Sequence, residues 1–321
     1  MMIDLTLLTT DILNNTNLVG RWTIKQIHGI DTIYSTNLGS SLKFEINHSQ
    51  FLRLNCFNNG NYLGNPQEVA IRIDGLTWTR FRVNELIELP LSDNQHLIEI
   101  MFAGNSDVDE IWTGKQGLAI KSIQTSKPAI ITPYINRHHV TFIGDSITAG
   151  CWVNGKKTSA DYSPYANYVG ICSDILQLDA TYIAYSAAGL IRHGLGGVPT
   201  TNEYLTKLDS ETYYPLKRPE LIVINLGTND IIHSNQAFKL KLTDFYQQLT
   251  KLVPDSHYLF IIPFNQSFQS VFHEVFDHEP VILVETNDWQ IPYTDQVHPN
   301  LAGSKIAGEK LAAIIQTQVF K

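Results

Sequence analysis

The order of apolar residues along this 321-residue chain predicts two joined folds. Residues 1–130 read as an all-β sandwich, and residues 137–321 as a three-layer α/β/α domain around a parallel sheet. Two observations carry this prediction. Over roughly the first 125 residues, apolar and polar side chains alternate in short runs, the period of a half-buried strand. Beyond that point the apolar runs lose their alternation and are separated by stretches of helical length, as expected of strands covered on both faces. The switch falls in SKPAIITPYINRHH, where Pro128 and Pro133 are expected to interrupt any regular element.

Each element follows from its own residues. SLKFEI sets Leu42, Phe44 and Ile46 on one face and Ser41, Lys43 and Glu45 on the other. EVAIRID repeats the pattern with Val69, Ile71 and Ile73, then meets Asp74-Gly75, a tight-turn pair. HLIEIMF gathers Ile98, Ile100 and Phe102 on one face. Turns rich in Asn, Asp and Gly separate these strands, and no long helix is expected among them. In the second part VTFIG, ATYIAYSA, ELIVINLG, YLFIIPF and PVILVET are the strands. SPYANYVGICSDILQL, NQAFKLKLTDFYQQLTKLV and NLAGSKIAGEKLAAIIQTQVF are the helices. Ligands of such sheets sit outside the carboxyl ends of the strands. The first of these strands ends on Gly144-Asp145-Ser146.

Composition narrows the function classes. Hydrophobic residues make up 43% and charged residues 17%, enough apolar material for well-buried cores. A net charge of −8 lacks the basic footprint of a nucleic-acid binder. No run of about 18 apolar residues predicts a membrane helix. The N-terminal MMIDLTLLTTDILNN carries acids where a secretory signal has a basic region, so a soluble, cytoplasmic protein is expected. Cys56, Cys151 and Cys172 are too few and too scattered for a disulfide framework or a zinc cage.

A serine at a strand end acts on a carbonyl only with a base, an orienter of that base, and donors for the oxyanion. Asp295 stands three residues before His298 in YTDQVHPNLAG, close enough to hold Nδ1 and leave Nε2 for Ser146. Asn229, in INLGTND, offers a neutral side-chain donor, while Asp230 caps the next helix or anchors the loop. Gly189 allows close approach of a backbone N–H. Ser186 is a rival nucleophile with no base nearby in sequence, and Cys151 would need a histidine of its own. His138 and His139 point to opposite faces of a strand and so do not form a metal pair. His193 reads as a surface residue, and Trp289 as either pocket wall or core. The chemistry needs no metal and no organic cofactor.

G-D-S after the first strand, Gly after the second, G-T-N-D after the third and D-x-x-H-P before the last helix fall in one order. This resembles the SGNH hydrolases, or GDSL esterase/lipase superfamily, over about residues 139–321. The resemblance implies a flavodoxin-like domain with Ser146 as nucleophile, His298 as base and Asp295 as its orienter. The implied oxyanion hole comprises the Ser146 and Gly189 N–H groups and the Asn229 side chain. The sandwich ahead of HHVTFIGDSITAG, with VAIRIDG, NQHLIEIMFAGNS and AYSAAGLIRHG, is similar to carbohydrate esterase family 2, a jelly-roll followed by an SGNH domain. Members of that family often have a shorter spacing before the histidine than Asp295-Gln296-Val297-His298. The implied activity is hydrolysis of small acyl esters, acetyl foremost, on an oligosaccharide or other small molecule. Alternatives are acyl transfer or short-chain lipase or thioesterase action by the same triad, and non-enzymatic carbohydrate binding by the sandwich.

Overall fold

The computed structural model describes residues 4–320. Two six-stranded antiparallel sheets form the first half. One runs Thr23–Ile27, Ile30–Ser35, Leu118–Ser126, Phe51–Cys56, Ile87–Pro90, with Asp4–Leu7 also paired to Leu118–Ser126. The other runs Ile130–Pro133, Ser41–Asn47, His96–Gly104, Glu68–Ile73, Thr79–Arg82, with Asn17–Val19 also on Ser41–Asn47. Alternation dictates what lies between them. Leu42, Phe44, Ile98, Ile100 and Phe102 of one sheet meet Leu52, Leu54, Ile120 and Ile123 of the other. Each such side chain contributes about 1.5–3 kcal/mol by leaving water. Asp74 and Gly75 both take positive φ (53° and 69°), the two central positions of a tight turn that the Leu76 N–H closes on the Ile73 carbonyl at 3.0 Å.

The second half is a five-stranded parallel sheet ordered Leu178–Ala184, His138–Gly144, Leu221–Asn225, His257–Ile261, Val281–Val284. In chain order that is second, first, third, fourth, fifth, the doubly wound arrangement whose ligand crevice opens between the first and third strands. Helices Tyr168–Leu176 and Leu301–Gln318 cover one face, and Asn235–Leu252 and Gln269–Phe276 the other. In Asn235–Leu252 the buried Phe238, Leu242, Phe245, Tyr246 and Leu249 make one stripe at helical spacing. Ser234 caps its first turn by accepting the Ala237 N–H at 3.2 Å.

Two expectations need correction. Ile130–Pro133 is a strand, paired with Ser41–Asn47, so Pro133 does not break the sandwich there. It closes an outermost strand, where a missing N–H costs no ladder bond. The polar face of SLKFEI is also not solvated: Ser41 and Lys43 are buried, because that face docks on the α/β half. Lys43 Nζ donates to Asp179 at 3.1 Å and to the Leu178 carbonyl at 3.2 Å. Arg72 forms paired bonds to Glu99 (2.7 and 3.0 Å) and to Asp174 (2.8 and 2.9 Å). Arg21, 1% exposed, reaches across to the Tyr204 and Lys207 carbonyls, each at 2.8 Å.

Candidate active site

The first parallel strand ends on glycine because its neighbour folds back. A Cβ on Gly144 would lie 2.0 Å from Thr148 Oγ1 and 2.9 Å from the Asn225 carbonyl. Asp145 then caps the short helix Ser146–Ala149, its Oδ1 accepting the Ile147 N–H at 2.9 Å. Burial, with Asp230 nearby, pushes the Asp145 carboxyl up to about 7. Ser146 is the first residue of that helix, so its N–H is among those a helix start leaves without an intrahelical acceptor.

Serine, histidine and aspartate meet across 152 residues of chain. His298 Nε2 is 2.8 Å from Ser146 Oγ, and His298 Nδ1 is 2.8 Å from Asp295 Oδ2. The other carboxylate oxygen of Asp295 accepts the His298 N–H at 2.8 Å and the Val297 N–H at 3.1 Å. These bonds hold the Asp295 pKa below its ordinary value even though partial burial pushes the other way. For His298, burial dominates and lowers the pKa, opposed by Asp295 and then by Asp107. A buried, neutral imidazole beside a hydroxyl is competent to take its proton.

Two of the three expected oxyanion donors are engaged within the protein. Asn229 Nδ2 donates to the Ala188 carbonyl at 3.0 Å and to Asp145 Oδ2 at 3.3 Å. The Gly189 N–H donates to the Arg192 carbonyl at 3.0 Å. The missing side chain of Gly189 makes room for Asp230, whose Oδ1 would sit 2.4 Å from an added Cβ. Asp230 anchors that loop by accepting the N–H groups of Leu190, Ile191 and Arg192 at 2.9–3.0 Å.

Residues that local sequence did not single out complete the surroundings. Asp107, from the sandwich, accepts the Tyr162 hydroxyl at 2.7 Å. The Trp152 ring lies 6.1 Å from the His298 ring and packs edge-on against Tyr162 at 5.6 Å. The segment 151–165 is pinned by the sandwich at further points. Asn65 donates to the Thr158 carbonyl (2.8 Å), Ser159 Oγ donates to the Pro66 carbonyl (2.6 Å), and Arg80 donates to the carbonyls of Ser159 and Tyr162.

The remaining candidates fall outside the chemistry. Cys151 is buried, and burial raises its thiol pKa well above the ordinary value, so it is not a ready nucleophile. Trp289 is core, packed on Phe264 under Lys310. His138 pairs with Glu220 at 2.8 Å and His139 with Thr181 at 2.9 Å. Among the described residues, no group of three or more His, Cys, Asp or Glu is arranged to hold a metal ion. No helix among them is long and apolar enough to cross a membrane. His193 is exposed.

Residues 142–274 match the GDSL-like Lipase/Acylhydrolase family. The cellulase/esterase CelE of Acetivibrio thermocellus is 31% identical over 137 residues, which is 37% of this chain and 16% of that protein. The chain therefore spans about a sixth of that curated relative. A family two carbohydrate esterase from Clostridium thermocellum, solved with cellohexaose, superposes with a TM-score of 0.76 at 19% identity, over 95% of this chain and 99% of that one. An acetyl xylan esterase, Est2A, from Butyrivibrio proteoclasticus gives 0.76 at 15% identity, over 99% of both chains. Residues 142–274 are thus similar to GDSL-like lipase/acylhydrolase domains, and the whole chain shares the two-domain fold of the family two carbohydrate esterases.

Proposed function

We propose that the protein is a serine esterase that removes small acyl groups, acetyl foremost, from carbohydrate hydroxyls. The observation that carries the reading is the run of 2.8 Å contacts from Asp295 through His298 to Ser146 at the end of the first parallel strand. His298 takes the Ser146 proton as Oγ attacks the ester carbonyl, and Asp295 stabilises the resulting imidazolium. Collapse of the tetrahedral intermediate expels the sugar alkoxide, which receives that proton, and leaves an acyl-enzyme. Water, deprotonated by His298, then releases the acid and restores Ser146.

In this reading the oxyanion is met by the Ser146 N–H and Asn229, and by the Gly189 N–H only once it leaves the Arg192 carbonyl it meets at 3.0 Å. Asn229 exchanges its longer bond, the 3.3 Å contact to Asp145, for the substrate oxygen. Catalytic hydrogen bonds often tighten only once substrate is bound. One such donor is worth about 2.7–4 kcal/mol of barrier. The carbohydrate assignment is supported by the fold shared with carbohydrate esterases over nearly the whole chain.

The test compares hydrolysis of p-nitrophenyl acetate, butyrate and octanoate, and acetate release from an acetylated xylo-oligosaccharide, by the wild type and Ser146→Ala. The expected result is preference for acetate, release from the sugar, and loss of both activities in the variant. Preference for octanoate would remove the carbohydrate assignment. Undiminished turnover by Ser146→Ala would remove the catalytic one.

A further inference from the structure

The alcohol half of an ester has a fixed place relative to the base. His298 must give its proton to the departing alcohol oxygen, so the group carrying that oxygen lies beside the imidazole. The Trp152 ring stands there, half-buried, 6.1 Å from the His298 ring and tilted 47° to it. Its backbone is in the left-handed region (φ 63°), rare for a bulky side chain. Such a conformation persists only where the surroundings impose it, and here they come from the other half of the molecule. Arg80 holds the Ser159 and Tyr162 carbonyls, Asn65 holds Thr158, and Asp107 holds the Tyr162 hydroxyl against which Trp152 packs.

We propose that Trp152 is the specificity-determining wall for the alcohol moiety of the substrate, and that the sandwich domain positions it through Asp107 and Tyr162. The inference rests on the esterase reading above and extends it. A flat aromatic face suits the C–H surface of a pyranose ring, as it suits other apolar ring faces. The sandwich therefore acts on substrate choice by holding a loop of the neighbouring domain.

The test keeps the acyl group constant and changes only the alcohol. Acetate release from mono-O-acetyl xylobiose and from ethyl acetate is measured for wild type, Trp152→Ala, Trp152→Phe and Tyr162→Phe, with active sites counted by fluorophosphonate labelling of Ser146. The ratio of kcat/KM for the sugar ester to that for ethyl acetate is expected to fall at least tenfold in Trp152→Ala, chiefly through KM. It is expected to stay within about threefold of wild type in Trp152→Phe, which keeps a flat ring. Tyr162→Phe, which loses only the hydroxyl held by Asp107, should lower the same ratio. If both esters slow equally in Trp152→Ala, the ring only props His298 and the proposal fails. An unchanged ratio in Trp152→Ala also overturns it, and an unchanged ratio in Tyr162→Phe overturns the positioning role of the sandwich. A wild type inert toward both esters would sink the esterase reading itself, and this inference with it.

Discussion

Asp295→Asn isolates the orientation of the base from the stability of its loop. The Asp295 Oδ1 accepts two backbone N–H groups, from Val297 and His298, and an asparagine carbonyl can keep both. What changes is the other end. A carboxylate oxygen 2.8 Å from Nδ1 becomes an NH₂ group, and Nδ1 must then accept. The imidazole proton moves to Nε2, which faces Ser146 Oγ at 2.8 Å with a hydrogen where a lone pair is needed. The same tautomer error in a Ser-His-Asp protease costs about 10⁴ in kcat, or about 5.4 kcal/mol of barrier. With His298 neutral, the variant exchanges one hydrogen bond to Nδ1 for another, which should cost no more than about 1 kcal/mol of folding stability. The assay is kcat on p-nitrophenyl acetate per titrated active site, with a thermal melt alongside. The expected outcome is a rate loss near 10⁴ with an almost unchanged melt. A loss under tenfold would refute Asp295 as orienter, and a collapsed melt would show that its loop bonds matter more than its charge.

Two further predictions follow from charges at the site and at the domain interface. Because burial holds His298 below its ordinary value of 6.5 and the base works unprotonated, kcat/KM should fall with decreasing pH through a limb centred below 6.5. The carboxylates raising that pKa are Asp295 from its own loop and Asp107 from the sandwich. Asp107→Asn should therefore move the limb to lower pH, and a limb above 6.5 or an upward move contradicts the assignment. Arg72→Leu leaves the buried Glu99 with only Lys43, 4.0 Å away, and should cost about 3 kcal/mol in urea unfolding. A cost below about 1 kcal/mol would mean that water reaches Glu99.

Most of the architecture was legible because each half obeys its own period. Leu42, Phe44 and Ile46 alternate, and the unbroken runs around Phe142 and Val223 are strands under two layers of helix. Ser146, Asp295 and His298 were legible too, since strand ends and helix entries are where such sheets place chemistry. The loop role of Asp230 could be anticipated; the packing reason for Gly189, a carboxylate occupying its Cβ site, could not. The helix Gln269–Phe276 escaped notice because two turns give too few positions to establish a stripe, although Val271, Phe272 and Phe276 were there to be counted. Asp107, Arg80 and Trp152 were invisible for a different reason. Their contacts depend on how two domains dock, and no local period records docking.

The charged face between the two halves bears on the order in which the chain is made. Domains tend to fold as they leave the ribosome, N-terminal part first, so the sandwich strands emerge while their cover is still being synthesised. An apolar docking face would spend that interval as a sticky patch. Lys43, Arg72 and Glu99 instead form a surface at ease in water, and Arg72 and Glu99 can already pair across neighbouring strands. Asp174 and Asp179 arrive later with the α/β half and complete the set. The alternation of SLKFEI and EVAIRID thus serves twice, first against solvent in the half-made protein and then against a neighbour in the finished one.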